Sequence, residues 1–434
     1  MQVLSVRGPV RLEGEVEVRG AKNSVLKLMA ATLLAPGRSV ITNVPAILDV
    51  SIMSELLRRL GCGIEYDTEA GIVAIDVPEV VGVKADYELV RAMRASISVL
   101  GPLAGRMHAA NVALPGGDAI GSRGLDLHQA GLEALGARAH IDHGYFVLDA
   151  PDGLTGTDIH LKFPSVGATE NLVMAATLAR GRTVIDNVAK EPEIVDICTM
   201  LVEMGARISG IGTSTLTIDG VESLRPVEHR CVGDRIVGGT WAFAAVITGG
   251  DVVVQGVSTE LLPNVIDKLR AAGAYVEDVS TANPGGAFRV FGPRRPESVR
   301  VSTLPFPGFP TDLQPFVIAL DAVADGVGLL TENLFEARWR FVNELSRLGA
   351  HVSVDGNHAL ITGVEALSGA EVEASDIRAG AGLAIAALRA HGTTEISGVD
   401  HIDRGYEYFE EKLRALGADV ARVERPDPLS LMSV

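Results

Sequence analysis

Cysteine is scarce in this chain, aromatic rings are few, and no long apolar run occurs. Its only cysteines, Cys62, Cys198 and Cys231, lie far apart with no C-x-x-C pair. That argues against a disulfide framework or a zinc site and suits a reducing cytoplasm. Aromatics make up 4% of residues, which leaves little for stacking nucleic-acid bases. No stretch reaches about 18 consecutive apolar residues, and no basic segment followed by an apolar one opens the chain. Neither membrane insertion nor export is therefore expected, and the location read from the sequence is cytoplasmic. Basic residues are outnumbered, and the formal charge is -17. Such a surface repels nucleic acid, and an anionic small substrate then requires arginines gathered locally in a cleft. No metal-ligating constellation and no cofactor motif appear, and no obligate protein partner is evident.

What is present is a soluble composition, 47% apolar and 21% charged, over 434 residues, enough for two or three domains. A helix-like stretch ending in Leu, Met or Ala, then Gly, then Ala or Cys, and then a short strand, recurs six times. The copies are LLRRLGCGIEY, LEALGARAHI, LVEMGARISG, LRAAGAYVED, LSRLGAHVSV and LRALGADVAR, whose glycines (61, 136, 205, 273, 349, 417) lie 68 to 76 residues apart. Each glycine falls where a left-handed helix C-cap belongs. A second signature, a glycine turn leading into a strand, precedes most copies: GRSVITNV (37–44), GRTVIDNV (181–188), GDVVVQGV (250–257), GVGLLTEN (326–333) and GTTEISGV (392–399). Each unit then reads strand, loop, helix, C-cap, strand. Runs at 23–35, 91–104, 167–180, 235–248, 312–324 and 377–390 are apolar nearly all round and predict one buried helix per unit. Six units divide into two domains of three. A single N-terminal strand over Gln2 to Val18 is expected to pair with the C-terminal half. The chain then crosses near Gly20-Ala21-Lys22 and near Gly233-Asp234-Arg235.

The densest chemical signal is LPGGDAIGSRG, 114–124. Gly116, Gly117 and Gly121 let the main chain approach a ligand, Asp118 can carry a proton, and Arg123 offers a fork suited to phosphate or carboxylate. Taken alone, the stretch reads equally as a glycine-rich turn with a solvated acid and arginine.

The chain resembles the UDP-N-acetylglucosamine 1-carboxyvinyltransferases, the enolpyruvyl transferases of peptidoglycan synthesis, whose nearest relatives in fold are the shikimate-pathway enolpyruvyl transferases. The likeness covers essentially the whole length. It rests on GAKNSVLKLMAATLL (20–34), RAMRASISVLGPL (91–103), LPGGDAIGSRGLDLH (114–128), SVGATENLVMAATLA (165–179), NVAKEPEIVD (187–196), GDRIVGGT (233–240), FPGFPTDLQP (306–315), ENLFEARW (332–339), SDIRAGAGL (375–383) and HIDRGYE (401–407). The resemblance implies an α/β fold, a two-domain inside-out barrel with helices inside rings of small sheets. Six repeats of about 70 residues, three per domain, match that description. One domain would be 22–232, carrying the loop 114–124. The other would be 1–21 with 233–434, and the active site would lie in the cleft between them.

The implied reaction moves the enolpyruvyl group of phosphoenolpyruvate to the 3-hydroxyl of UDP-N-acetylglucosamine. By the same match Lys22, Asn23, Arg123, Arg378 and Arg404 would hold phosphoenolpyruvate, with Lys22 and Arg404 also catalytic. Asp118 would be the proton donor and Asp312 the base. Arg94, Arg123, Gly124, Leu125, Asp126, Leu127, Phe163, Pro164, Ser165, Val166, Asp312 and Leu334 would line the UDP-sugar site. Because these residues divide between the two halves, closure on the nucleotide sugar is implied.

Three departures stand out. Most of the family has a cysteine where this chain has Asp118, and that cysteine is alkylated by fosfomycin, so resistance to the drug is expected. Gly124 replaces a usual proline, and Phe163-Pro164 replaces a common lysine-containing pair, with Lys162 adjacent as a substitute. Both bear on the acceptor and keep open a paralogue serving another nucleotide or nucleoside. A non-catalytic binding protein of the same fold is disfavoured by the intact set Lys22, Asp118, Arg123, Asp312 and Arg404. Structural readings also stand beside several residues. Lys22 can be a solvated helix start, and Arg94 in its apolar run needs a partner. Arg378 and Arg404 can pair with Asp376 and Asp403. Glu191, Glu193 and Asp196 can form a cap and ion-pair cluster. His128 and His401 suit a scaffold role, and Trp241 and Trp339 suit the core or a cleft wall.

Overall fold

The computed structural model describes residues 1–85, 87–114, 121, 124–279 and 282–426, without the side chains of Arg91 and Ala92. Two compact units divide it. One holds residues 1–18, Gly121 and the described residues from 233 to 426; the other holds the remaining described residues from Arg19 to Val232.

Each unit contains three small sheets, one per repeat. The strands expected after the glycine turns are there, at Gly37–Thr42, Arg182–Asp186, Asp251–Gln255, Val327–Thr331 and Ala390–Ser397. The remaining repeat, second in the chain, has Ala109–Ala113, where His108 at φ +58° takes the turn that glycine makes elsewhere. These strands pair antiparallel on one side and parallel with a short strand on the other. The register puts apolar residues on one face: Ile41 lies opposite Val73, and both are buried. Where the sequence suggested one strand after each C-cap, five repeats have a hairpin, such as Gly63–Asp67 with Ile72–Val77.

The N-terminal segment supplies the sixth repeat's missing strand. It is two strands rather than one. Gln2–Gly8 pairs antiparallel with both Ala390–Ser397 and Asp419–Glu424, while Glu13–Glu17 pairs parallel with Asp251–Gln255. Pro9, which has no N–H to give a ladder, follows the first strand. In the other unit Glu228–Arg230 returns to pair with Gly37–Thr42, so the end of that unit closes onto its start.

The repeated glycines do one job six times. Gly61, Gly136, Gly205, Gly273, Gly349 and Gly417 have φ between +90° and +107°. Each donates its N–H to the carbonyl three residues back, and the following Cys62 or Ala donates to the carbonyl five back. That pair of bonds satisfies helix-end carbonyls and needs a residue free of Cβ strain, which is why the Leu-x-x-Leu-Gly-Ala pattern is visible in sequence.

The central helices Lys22–Ala31, Val166–Ala176, Arg235–Thr248, Gln314–Val323 and Ile377–Ala387 are buried on nearly every face. The expected helix at 91–104 is not continuous. Tyr87–Ala92 ends at an extended Met93, Arg94–Val99 is a 3-10 helix, and the α-helix restarts at Leu100–Met107. Pro102 explains the restart: within a helix running from 91 its ring would break the ladder, but in a first turn its missing N–H costs nothing. Leu100–Met107 packs against Val166–Ala176 through Gly101, whose N–H donates to Asn171 Oδ1 at 2.6 Å. A Cβ there would stand 2.3 Å from the Asn171 carbonyl oxygen.

Asp321 is the acid inside the central helix Gln314–Val323. Burial pushes its carboxyl up to about 7, against the pull of the Val299 N–H donated to Oδ1 at 2.9 Å. An unfolded aspartate titrates near about 3.9. Between roughly pH 4 and 7 the native state therefore binds more protons than the unfolded one, and stability from this group is lost as pH rises. Asp321→Asn should gain on the wild type across that window, by at most about 1.4 kcal/mol per pH unit, and hold level above it. Urea unfolding at pH 5, 6, 7 and 8 reads this; a difference constant with pH would refute it.

Candidate active site

In the unit spanning 19–232, Lys22 opens a central helix. It is not a solvated helix start: Lys22 is buried, and its ammonium lies 2.9 Å from Asp49, which is 1% exposed. Asp49 sits in the first turn of the helix Leu48–Arg59, where the helix dipole favours a carboxylate. Asn23 follows Lys22, and its carbonyl accepts from the Lys27 ammonium. Lys27 also lies 3.3 Å from Glu170, on the central helix Val166–Ala176. Burial pushes Glu170 up to about 7; Lys27 opposes this, while Glu193 and Glu191 reinforce it.

Behind the same first turn, Ser24 Oγ donates to Asp196 Oδ2. Asp196 also receives the Val232 N–H at 3.1 Å and pairs with His229 Nε2 at 2.9 Å, while His229 Nδ1 pairs with Glu203 at 2.7 Å. Asp196 therefore belongs to an ion-pair cluster. Burial works to lower the His229 pKa, yet its two carboxylate partners outweigh that and raise it.

Arg94 is half-buried at the start of its 3-10 helix, and its charge, after burial itself, helps lower His128 to about 4. A histidine so shifted is neutral near pH 7. It accepts from Asn171 Nδ2 at 3.2 Å with Nδ1, so the ring proton sits on Nε2, and it serves as scaffold. Gly124, Leu125, Asp126 and Leu127 lead into and begin the helix Asp126–Ala134. Phe163 is exposed, Pro164 follows, and Ser165 caps the helix that begins at Val166 by accepting from Ala168 N at 3.3 Å. Asp118 and Arg123 lie outside the described residues, as do Gly116 and Gly117, while Gly121 has φ +149°.

In the unit containing 233–434, Asp312 stands between two guanidiniums: Arg338 Nη2 at 2.9 Å from Oδ1 and Arg378 Nη2 at 3.3 Å from Oδ2. Arg378 lies over the Tyr406 ring, 5.3 Å from its centroid. Asp376 is the helix N-cap, accepting from the N–H groups of Arg378 and Ala379 at 2.9 and 3.0 Å. Arg404 follows the short helix Val399–Asp403, which carries His401. The segment is pinned on both sides: Asp403 takes a two-pronged bond from Arg422, at 2.8 Å for each prong, and buried Tyr406 shares a 2.9 Å hydrogen bond with Thr240. Leu334 gives its N–H to Glu332 at 2.9 Å. Trp241 is core, its ring tilted 34° to that of Phe409 at 5.6 Å between centroids, and Trp339 packs partly buried against the same core.

Four residues escaped the sequence reading: Asp49, Arg338, Lys27 and Glu170. Lys27 and Glu170 were visible as charges in otherwise apolar helices, which demand partners. Asp49 and Arg338 gave no local signal, because their partners come from other elements.

Similarity to known proteins agrees across the chain. The model of the EPSP synthase (3-phosphoshikimate 1-carboxyvinyltransferase) family matches residues 6–413. A UDP-N-acetylglucosamine 1-carboxyvinyltransferase of Corynebacterium jeikeium is 57% identical over 97% of this chain and 99% of its own length. One from Nocardia farcinica is 58% identical over 96% and 98%. The enolpyruvyl transferase NikO of Streptomyces tendae shares 26% identity and superposes with a TM-score of 0.87, covering 98% of this chain and 99% of that one.

The Lys22–Asp49 contact predicts a measurable coupling. Asp49→Asn strips a buried ammonium of its counter-charge and should lower the unfolding free energy by roughly 3 kcal/mol. Adding Lys22→Met to that variant should recover part of the loss. Denaturant titration of the single and double variants tests it, and simply additive losses would contradict the pairing.

Proposed function

The chain belongs to the EPSP synthase family of carboxyvinyltransferases, and we propose that it transfers the enolpyruvyl group of phosphoenolpyruvate to the 3-hydroxyl of UDP-N-acetylglucosamine, releasing phosphate. What carries this acceptor is the full-length identity of 57–58% to relatives named for that reaction, against 26% to NikO.

The chemistry sets the roles. Phosphoenolpyruvate is strongly anionic, and Lys22, Arg123, Arg378 and Arg404 supply cations for it, with Asn23 beside Lys22. Each charge-assisted bond contributes about 1.5–3 kcal/mol. Asp118 gives a proton to the methylene carbon while Asp312 accepts one from the sugar hydroxyl, whose oxygen bonds to the adjacent carbon. The tetrahedral ketal so formed then loses phosphate and a methyl proton, which restores the double bond and leaves an enol ether on the sugar. Arg94, Arg123, Gly124 to Leu127, Phe163 to Val166 and Leu334 hold the nucleotide sugar.

Aspartate at 118 serves as an acid but is a poor nucleophile toward an epoxide. No other thiol offers itself. Cys62, Cys198 and Cys231 are all buried, and burial pushes the first two thiols up to about 11 and about 12. We therefore expect turnover that resists fosfomycin, in a cytoplasmic enzyme of peptidoglycan synthesis.

Phosphate release from phosphoenolpyruvate with UDP-N-acetylglucosamine tests the reading. The wild type should turn over in the presence of fosfomycin, Asp118→Asn should fall by 10²-fold or more, on the order expected for a lost general acid, and Asp118→Cys should be active but drug-sensitive. Release with a different uridine acceptor only would favour a paralogue, the reading to which Gly124 and Phe163-Pro164 point. Time-dependent inactivation of the wild type by stoichiometric fosfomycin would overturn the resistance.

A further inference from the structure

Asp312 is held by a chain of buried groups that the proposed reaction does not itself name. Glu332 follows the strand Val327–Thr331 and is 2% exposed. Its Oε1 accepts from Thr303 Oγ1 at 2.8 Å and from the N–H groups of Leu334 and Phe335 at 2.9 and 3.2 Å. Its Oε2 accepts from Thr311 Oγ1 at 2.8 Å. That leaves the Thr311 oxygen to accept from Arg338 Nη1 at 2.8 Å, while Nη2 of the same guanidinium reaches Asp312 Oδ1 at 2.9 Å. Gln314 Nε2 donates to the Arg338 carbonyl at 3.1 Å, so main chain and fork are both held. The Arg338 side chain is 4% exposed, whereas Asp312 keeps a quarter of its side chain open.

A lysine could not make this arrangement. The planar fork of arginine spans two acceptors with fixed geometry, and here it ties a buried threonine to a carboxylate that still faces solvent. Arg378 takes the other oxygen, at 3.3 Å. Each Asp312 oxygen thus has one guanidinium. Among the described residues, none gives the buried Arg338 Nε a hydrogen-bond partner. Packing for stability alone gives no reason to sink an arginine there.

We propose that Arg338, anchored through Thr311 to Glu332, is the positioning residue that orients Asp312 toward the acceptor hydroxyl. This rests on the role given to Asp312 above. The same Glu332 holds the Leu334 N–H, so one buried carboxylate fixes both acceptor-site residues assigned to this unit.

Among the described residues, the charged and titratable groups around Asp312 include Arg338 and Arg378, with Tyr406 beneath Arg378 and Glu332 beyond Thr311. Steady-state kinetics over pH with the acceptor that the wild type uses, on variants matched for folding by circular dichroism, tests the proposal. Arg338→Gln removes one of two cations from the base. Its kcat should fall about 10–100-fold, the span typical of lost orienting groups, with KM for phosphoenolpyruvate unchanged. The acidic limb of kcat/KM for the acceptor should move to higher pH. Arg338→Lys should bring the limb back while recovering only part of kcat. Thr311→Val keeps every charge, so kcat should drop with the limb in place. Kinetics of Arg338→Gln within two-fold of wild type, or a change confined to the phosphoenolpyruvate KM, would overturn the assignment. If Arg338→Gln does not fold, a wild-type kcat for Thr311→Val overturns it instead. A wild type inactive with every uridine acceptor fails at the functional reading, and the positioning role falls with it.

Discussion

Helices that are apolar on every face cannot meet water, and that single constraint shapes both units. A helix with one apolar stripe needs one neighbour; Arg235–Thr248 or Ile377–Ala387 needs cover all round. Each unit supplies it with three sheets, each apolar on one face as the alternation of buried residues along the strands records. Cover of that kind must close. Closure explains why strands are borrowed across the sequence, with Glu228–Arg230 returning to Gly37–Thr42, and Gln2–Gly8 standing in the repeat that ends the chain. The outer helices then need a sharp stop before the hairpin or single strand that follows, which the six glycine caps provide.

A core built this way makes every charge within it conspicuous. Moving an ion out of water costs several kcal/mol in a folded protein unless it is paired. Lys22 with Asp49, Lys27 with Glu170, and Arg338 and Arg378 with Asp312 all meet that demand, at 2.9 to 3.3 Å. Asp321, near the end of its central helix, meets it by binding a proton up to about pH 7, and burial pushes Glu170 up to about 7 as well. The first and third sets carry residues given to the substrates, and the second sits behind Lys22 on the same helix.

Much of this was legible in the sequence because it is local. The Leu-Gly-Ala stops encode a hydrogen-bond pattern within six residues, and the glycine turns mark strand starts, so the repeat count and fold class followed. The residues proposed for the substrates were read from contiguous motifs, such as FPTD for Asp312 and HIDRG for Arg404. What failed was nonlocal or depended on one residue's missing donor. Pro102 broke a helix that its apolar neighbours would have continued. Pro9 parted one strand into two. Arg338 lies inside ENLFEARW but had no role to show there, since only the fold brings Thr311 and Asp312 to it, from 27 and 26 residues away.

The charge balance gains meaning from those pairs. On the proposed reaction, a chain of formal charge -17 cannot rely on its overall field to attract its anionic substrates. It needs cations already stripped of water and already aimed. Lys22 is held so by Asp49, and Arg378 by Asp312 and the face of Tyr406. On the proposed reaction, an arriving phosphate or carboxylate adds to partners that are desolvated and fixed, rather than drawing long side chains in from solvent. The reorganisation has been done in folding, which is the condition under which electrostatic stabilisation of a transition state is strongest. The carboxylates beside these cations are thus part of the same device. They keep the ammonium and guanidinium groups inside the protein until a substrate anion shares them.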